Sequence, residues 1–287
     1  MRKLFISSLA LTGVVSIVLV SFFWPRLGRQ VQFASYGKSY DAKPDLASVE
    51  RQFPIQRADR QRLMPHDLKA FNQEQLDQLY AWLTAGTIPD GLFDGTLLQP
   101  EGAPLDRIAE AVGGRKGLAL KFKRRNLGIL VNVLWHGKVF ERNERVVRNR
   151  IEDLTVLRPL VSGGWKEPPQ TTVEGRNAWL LFPAKVYCGQ SLLDGRREST
   201  IVDYAFADEI AGYRETPDFL ASRHGFSVRD ELRMIRPGFY LGRAYLNRIF
   251  ALNFTLYNDA IARREVETFA RGGVQEDCWV GTQQPGV

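Results

Sequence analysis

Residues 5 to 24, FISSLALTGVVSIVLVSFFW, run without one charge. About 20 helical residues at roughly 1.5 Å each span the hydrocarbon layer of a bilayer, so this stretch predicts a membrane-crossing helix. A removable secretory signal carries a shorter apolar run that ends in small residues. Here Phe22, Phe23, Trp24 and Pro25 follow instead, which favours a retained anchor over residues 1–24. Arg2 and Lys3 before the run are balanced by Arg26 and Arg29 after it, so flanking charge does not set its direction. The short basic start followed at once by an apolar run has the layout of a secretory signal. That layout places the N-terminus in the cytoplasm and the remainder in the periplasm of a bacterial-type envelope, with a cytoplasmic domain as the competing arrangement.

Beyond the anchor, residues 25–65 show no sustained periodicity and mix Arg26, Gly28, Gly37, Pro44, Pro54 and Pro65 with charges, which reads as a linker. From His66 to Ala85, Leu68, Phe71, Leu76, Leu79, Tyr80 and Leu83 fall near helical spacing and Gly86 is placed to end the helix. Thr87 to Pro104 is turn chemistry twice over, with Pro89-Asp90-Gly91 and Asp94-Gly95 around Leu92 and Phe93, and reads as a structured loop. Leu105 to Val112 suits a short helix stopped by Gly113-Gly114, and the apolar run Leu127 to Trp135 fits helix or strand. Residues 66–136 thus form a helical preface.

From residue 137 to 287 the pattern changes to short runs rich in Val, Ile, Tyr and Phe between turns. Lys138 to Glu141, Arg145 to Ile151, Trp179 to Cys188 and Ser199 to Tyr204 read as strands, with Leu193-Asp194-Gly195-Arg196 as a turn. Arg229 to Arg236, Phe239 to Leu246 and Ile249 to Tyr257 are joined by Pro237-Gly238 and Asn247-Arg248, which predicts sequential antiparallel pairing. In the last run, alternation places Phe250, Leu252, Phe254 and Leu256 on one face. Gly242 and Ala244 beside bulky neighbours suit a sharply curved sheet. The expected class is α+β: a transmembrane helix, a helical preface, then an antiparallel meander forming a barrel or strongly curved sheet, since closure removes vulnerable edges.

The chain has 287 residues, and 39 Lys and Arg against 32 Asp and Glu give a formal charge of +7. The excess favours anionic neighbours such as lipid headgroups. Arg115, Lys116, Lys121, Lys123, Arg124 and Arg125 concentrate it in one segment, where each cation near an anionic membrane adds about 1 kcal/mol of attraction. Nucleic acid is not an expected partner, because no zinc-finger spacing, RNA-binding aromatic signature or helix-turn-helix pattern accompanies the charge. Two cysteines, Cys188 and Cys278, exclude a disulfide-dense scaffold; one disulfide and a buried free thiol both fit.

No phosphate-binding glycine loop occurs, and His66, His136 and His224 stand apart without a ligand-pair spacing, so neither a nucleotide cofactor nor a metal is expected. Ser191 follows Gly189-Gln190, but Leu193 stands where a nucleophile elbow needs its second glycine. Asp203, Asp208, Glu209, Asp230 and Glu231 offer carboxylates for acid/base chemistry, with solvated or structurally paired charges as the ordinary alternative. Among them Asp203 is flanked by Ile201, Val202 and Tyr204, and Asp230, Glu231 and Arg233 suit an exposed ladder. No catalytic assignment follows.

The stretch from Trp135-His136-Gly137-Lys138 to Tyr257 resembles the lipocalin-like, or calycin, class of small-molecule-binding barrels in its organisation. An early Trp135 lies near Gly137, and a late arginine, Arg243 or Arg248, is available to pack across the barrel end; the family's Gly-x-Trp order is reversed here. The resemblance implies a barrel that accommodates a lipid or other hydrophobic small molecule, and Phe239, Tyr245, Phe250 and Phe254 are its candidate wall residues, unless they simply fill the core. The expected function is therefore a membrane-tethered binding protein of the inner membrane. The alternatives are an enzyme acting on lipid or cell-wall material, using Asp203, Asp230, Glu231 or His136, and a non-catalytic envelope assembly factor.

Overall fold

The computed structural model describes residues 31–34, 45–98, 135–154, 168 and 170–281. The anchor at 5–24, the helix expected at 105–112, the basic segment at 115–125 and the apolar run 127–134 lie outside the described residues. Among those described, no helix is long and apolar enough to cross a membrane.

Among the described residues nine strands succeed one another: β1 Gly91–Leu98, β2 Trp135–Glu141, β3 Val146–Ile151, β4 Thr171–Val173, β5 Arg176–Gln190, β6 Glu198–Asp203, β7 Val228–Arg236, β8 Phe239–Leu246 and β9 Ile249–Tyr257. Every pairing is antiparallel, and neighbours in sequence are neighbours in space except at two places. β9 returns to β1, and β3 pairs directly with β5 while β4 adds only a short hairpin to the start of β5. Eight strands therefore close into an up-and-down barrel, which leaves no free edge among them.

The closing strand is a surprise of local chemistry. The segment Gly91 to Leu98, which reads as a loop because of its Asp-Gly turn signal, is β1, bonded to β2 on one side and β9 on the other. Its Gly95 lies beneath the Trp135 ring, where a Cβ would come within 2.5 Å of ring carbons. The glycine that signals a turn in sequence here admits a bulky neighbour inside a curved wall.

Among the described residues, six short α-helices accompany the barrel: α1 Leu46–Gln52, α2 Arg57–Arg62, α3 Gln73–Trp82, α4 Glu215–Asp218, α5 Asp259–Arg264 and α6 Val266–Ala270. Two of them, α1 and α2, fall within the stretch that reads as a linker. The single helix expected over His66 to Ala85 is divided into a 3₁₀ turn, Asp67–Ala70, and α3. Asn72 causes the division: its side chain accepts the Gln75 N–H while Gln75 accepts the Asn72 N–H, a capping box that starts a new helix and contributes about 1 kcal/mol.

Alternation sorts each barrel strand into an inward and an outward row. Leu232 and Met234 of β7, Tyr240 of β8, and Phe254 and Leu256 of β9 belong to the apolar interior with Phe93, Phe140, Val147 and Val202. The outward row of β7 to β9 is not solvated. The ladder expected to be exposed is buried: Glu231 and Arg233 are both fully buried, and Arg243 beside them nearly so. Arg233 donates to the Tyr80 and Arg197 carbonyls, Ser199 Oγ and Asp194, and Arg243 pairs with Asp77, so α3 docks on the barrel through ionic and hydrogen-bonded contacts. On the N-terminal flank, Phe33 stacks on Trp82 and meets Phe71 edge-on, 5.4 and 5.0 Å between ring centres.

The two cysteines are joined as a disulfide between β5 and the C-terminal tail, 90 residues apart. The tail is held further by Asp277, whose carboxylate accepts the Ile88 N–H and pairs with Arg142, and by Glu276, which accepts the Thr84 hydroxyl and the Gly86 N–H.

Candidate functional site

One end of the barrel is filled by Phe93, Phe140, Met234, Tyr240 and Leu256; the other holds a cavity of about 280 Å³. That volume sits at the lower edge of the roughly 300–1,000 Å³ typical of small-ligand pockets. Its walls come from the end of β1 (Leu97), the start of β2 (Trp135), the end of β3 (Ile151), Phe182 of β5, the start of β7 (Val228), Ala244 of β8 and Leu252 and Phe254 of β9. Leu220, Ala221 and Phe226, from the segment between α4 and β7, complete it, and Phe226 stays 41% exposed. This is an apolar chamber with an aromatic at its rim.

Its polar groups cluster in one place: Lys138, Asn149, Tyr204 and Asp230. Lys138 Nζ lies 2.9 Å from Asp230 Oδ2 and donates to Asn149 Oδ1 at 2.7 Å and to Tyr204 Oη at 2.5 Å. The three acceptors match the three protons of an ammonium group. Tyr204 Oη also donates to Asp230 Oδ2 at 3.2 Å, and Trp135 Nε1 donates to Asn149 Oδ1 at 2.9 Å. The rings of Trp135, Tyr204 and Phe254 stand 5.2 to 5.7 Å from Nζ. Lys138 is only 2% exposed, and burial pushes its amine below the usual lysine range while the Asp230 charge opposes that shift. Burial first, and the Asp230 carboxylate second, hold the Tyr204 hydroxyl well above the usual tyrosine range.

Two backbone irregularities build the cluster. In β2 the pairing with β3 slips between Trp135 and Gly137, so Trp135 pairs with Ile151 and Lys138 with Asn149. Without this bulge, Trp135 and Lys138, three residues apart, would face opposite ways. Gly137 makes it feasible, with φ of 138° and its Cα so close to β1 that a Cβ would lie 2.0 Å from the Phe93 carbonyl oxygen. In β5 Phe182 has φ of 52°, and the pairing with β3 slips beside it. Its N–H is held by buried Asp218, whose carboxyl burial pushes above the ordinary aspartate range.

Of the four aromatics expected in the wall, Phe254 lines the cavity. Phe239, Tyr245 and Phe250 pack elsewhere: Arg236 lies over Phe239, while Tyr245 and Phe250 meet each other under Arg243, whose guanidinium stands 4.2 Å from the Phe250 ring centre. Phe250 leaves the row of Leu252, Phe254 and Leu256 because Ala244 pairs with Leu252 but Tyr245 with Phe250, which leaves Ala251 as an extra residue. The carboxylates also separate. Asp230 is in the cavity; Glu231, on the opposite face of β7, accepts the Leu192 N–H; Asp203 accepts the Tyr187 hydroxyl; Asp208 pairs with Arg223 and Glu209 with Lys185; His136 lies 3.6 Å from Glu152. Arg243 is on the outer wall, not across the barrel end, and Arg248 is in the β8–β9 turn.

Lys138, Asn149, Tyr204 and Trp135 carry no functional motif in sequence, since they come from two strands, β2 and β3, and the 3₁₀ turn that follows β6. Gly137, an isolated glycine between His136 and Lys138 within a strand, is the available sign of a bulge. Cys188, Glu198 and Cys278 form a grouping of potential metal ligands, but the disulfide occupies both sulfurs.

The fold and site define an eight-stranded antiparallel barrel with an apolar chamber and one ionic cluster inside it. No protein-family model, curated protein or solved structure matches the chain.

Buried tyrosines make the fold sensitive to alkali. Tyr80, Tyr204 and Tyr240 each have hydroxyls whose ionisation burial raises above the usual value of 10.0. Above that pH the unfolded chain releases these protons and the native one keeps them, so stability is intact below pH 10 and falls above it. Each group contributes a slope of about 1.4 kcal/mol per pH unit, roughly 4 for the three together. An alkaline titration should show the tyrosinate absorbance of these three appearing together with loss of the far-UV circular dichroism signal. Gradual ionisation within an intact fold would contradict the assignment.

Proposed function

We propose that the chain is a membrane-tethered envelope protein whose barrel binds a lipid or another hydrophobic small molecule. The observation that carries this reading is the chamber at one barrel end, apolar apart from the Lys138 cluster and rimmed by exposed Phe226. An up-and-down barrel with an internal cavity also supports kinship with the lipocalin-like class, although Trp135 lines the chamber and Arg243 lies outside the wall.

Three features favour the placement. The uncharged run from Phe5 to Trp24 has the length of an anchor, and the basic segment belongs to the connection between β1 and β2, whose described ends lie at the chamber end. The disulfide suits an oxidising compartment such as the periplasm. The enzymatic alternative is less favoured, because only Asp230 among the candidate acid/base groups lines the cavity.

Gentle purification followed by native mass spectrometry and lipid extraction tests the binding reading. A stoichiometric apolar molecule retained by the native chain and released on unfolding is the expected result. A chain that carries none, and takes up no hydrophobic fluorophore, would refute it. Periplasm-sensitive and cytoplasm-sensitive reporters fused to the C-terminus test the orientation, with activity only in the cytoplasm overturning it.

A further inference from the structure

We propose that Lys138 is a nucleophile, and that its amine condenses with the carbonyl group of an apolar aldehyde or ketone lodged in the chamber to form an imine. The inference rests on the binding reading above and adds the chemical class of the ligand.

The geometry restricts what the polar cluster can recognise. The Lys138 ammonium is already matched by the Asp230 carboxylate at 2.9 Å, so a ligand carboxylate would bring a second anion to one cation in an apolar enclosure. That combination is disfavoured by desolvation. A neutral carbonyl brings no such charge. Its hydrocarbon part meets Leu97, Ile151, Val228, Leu252 and Phe254.

The same groups supply the proton transfers. Nζ passes one proton to Asp230 across their direct contact, and its freed lone pair attacks the carbonyl carbon. The C–N bond forms as the C=O π pair moves to oxygen, which takes the proton held by Asp230. The nitrogen then returns a proton to Asp230. This proton leaves with the hydroxyl group as water when the C–O bond breaks and the nitrogen lone pair closes the C=N bond. The products are a protonated imine paired with the Asp230 carboxylate and one water molecule; no oxidant or reductant takes part. Asn149 and Tyr204, 2.7 and 2.5 Å from Nζ, are positioning residues that hold the amine. Burial disfavours the charged amine, and the rings of Trp135, Tyr204 and Phe254 shield the product from water, as required of a lysine that reacts with carbonyl compounds.

The test uses the full-length chain in phosphatidylcholine nanodiscs, with decanal or cinnamaldehyde as probe and cyanoborohydride to trap any imine. Peptide mapping should locate the adduct at Lys138, formed roughly tenfold faster than at any other lysine. Displacement of a hydrophobic fluorophore, measured on the same sample, reports binding separately. Lys138→Met/Asp230→Leu, which removes the ion pair as a unit, should lose that fast adduct. Fluorophore uptake by the native chain without preferential modification of Lys138 overturns the imine and leaves the binding reading standing. Neither uptake nor modification overturns both. Mapping on the native chain decides the matter even where the double variant does not fold.

Discussion

Replacing Lys138 with Met should lower the unfolding free energy by about 3–5 kcal/mol, whereas Lys138→Met/Asp230→Leu should recover most of that loss. The single change leaves the Asp230 carboxylate, 4% exposed, without its cation in an apolar chamber. The double change removes both charges, and apolar side chains occupying the site of a buried pair are often neutral or stabilising. Urea melts of the native chain, both single variants and the double variant would measure the coupling directly. Additive losses would show that the pair is not energetically linked and that Asn149 and Tyr204 hold each member separately. The comparison also separates the roles of the cluster: its ion pair is dispensable for folding if the double variant is stable, so its presence in the chamber needs a chemical reason.

A loss of similar size, about 3–5 kcal/mol, is expected for Arg233→Met, on the face of β7 opposite Asp230. Arg233 is fully buried and bonds to Ser199 Oγ, the Tyr80, Asp194 and Arg197 carbonyls and the Asp194 carboxylate. Its removal strands these acceptors where water does not reach. The effect should be localised: hydrogen exchange in α3, which is buried from Leu76 to Trp82, should accelerate more than in β1 or β2. A change below about 1 kcal/mol would place Arg233 among the interactions with little net effect.

The three strands β7 to β9 and their turns are legible in sequence because Pro237-Gly238 and Asn247-Arg248 punctuate runs of clear β character. Which way their side chains face is less legible. Strict alternation groups Phe250 with Phe254, and one extra residue, Ala251, reverses it. The same physics hid the site. Trp135 and Lys138 share the interior only because β2 is bulged at Gly137, where the backbone meets β1, a strand distant in sequence. Glu231 and Arg233 read as exposed because burial of charge depends on a covering helix whose docking no local pattern reports. The apparent linker contains α1 and α2 for a related reason. Glu50 of α1 is fixed by Arg196 and Arg197, and Arg60 of α2 by the Met234 and Ile235 carbonyls, partners more than 140 residues away in every case.

The bond between Cys188 and Cys278 has a consequence for the order in which the molecule is made. Cys188 lies in β5, midway through the barrel, whereas Cys278 follows β9 and α6, when every wall strand has already emerged. During synthesis the earlier thiol therefore waits for a partner encoded 90 positions later. The tail can bring that partner into reach once the Asp277 and Glu276 contacts with Arg142 and the Thr84 to Ile88 stretch exist. Oxidation thus follows the emergence of every wall strand, and it marks the molecules in which the tail has already met Arg142 and the Thr84 to Ile88 stretch.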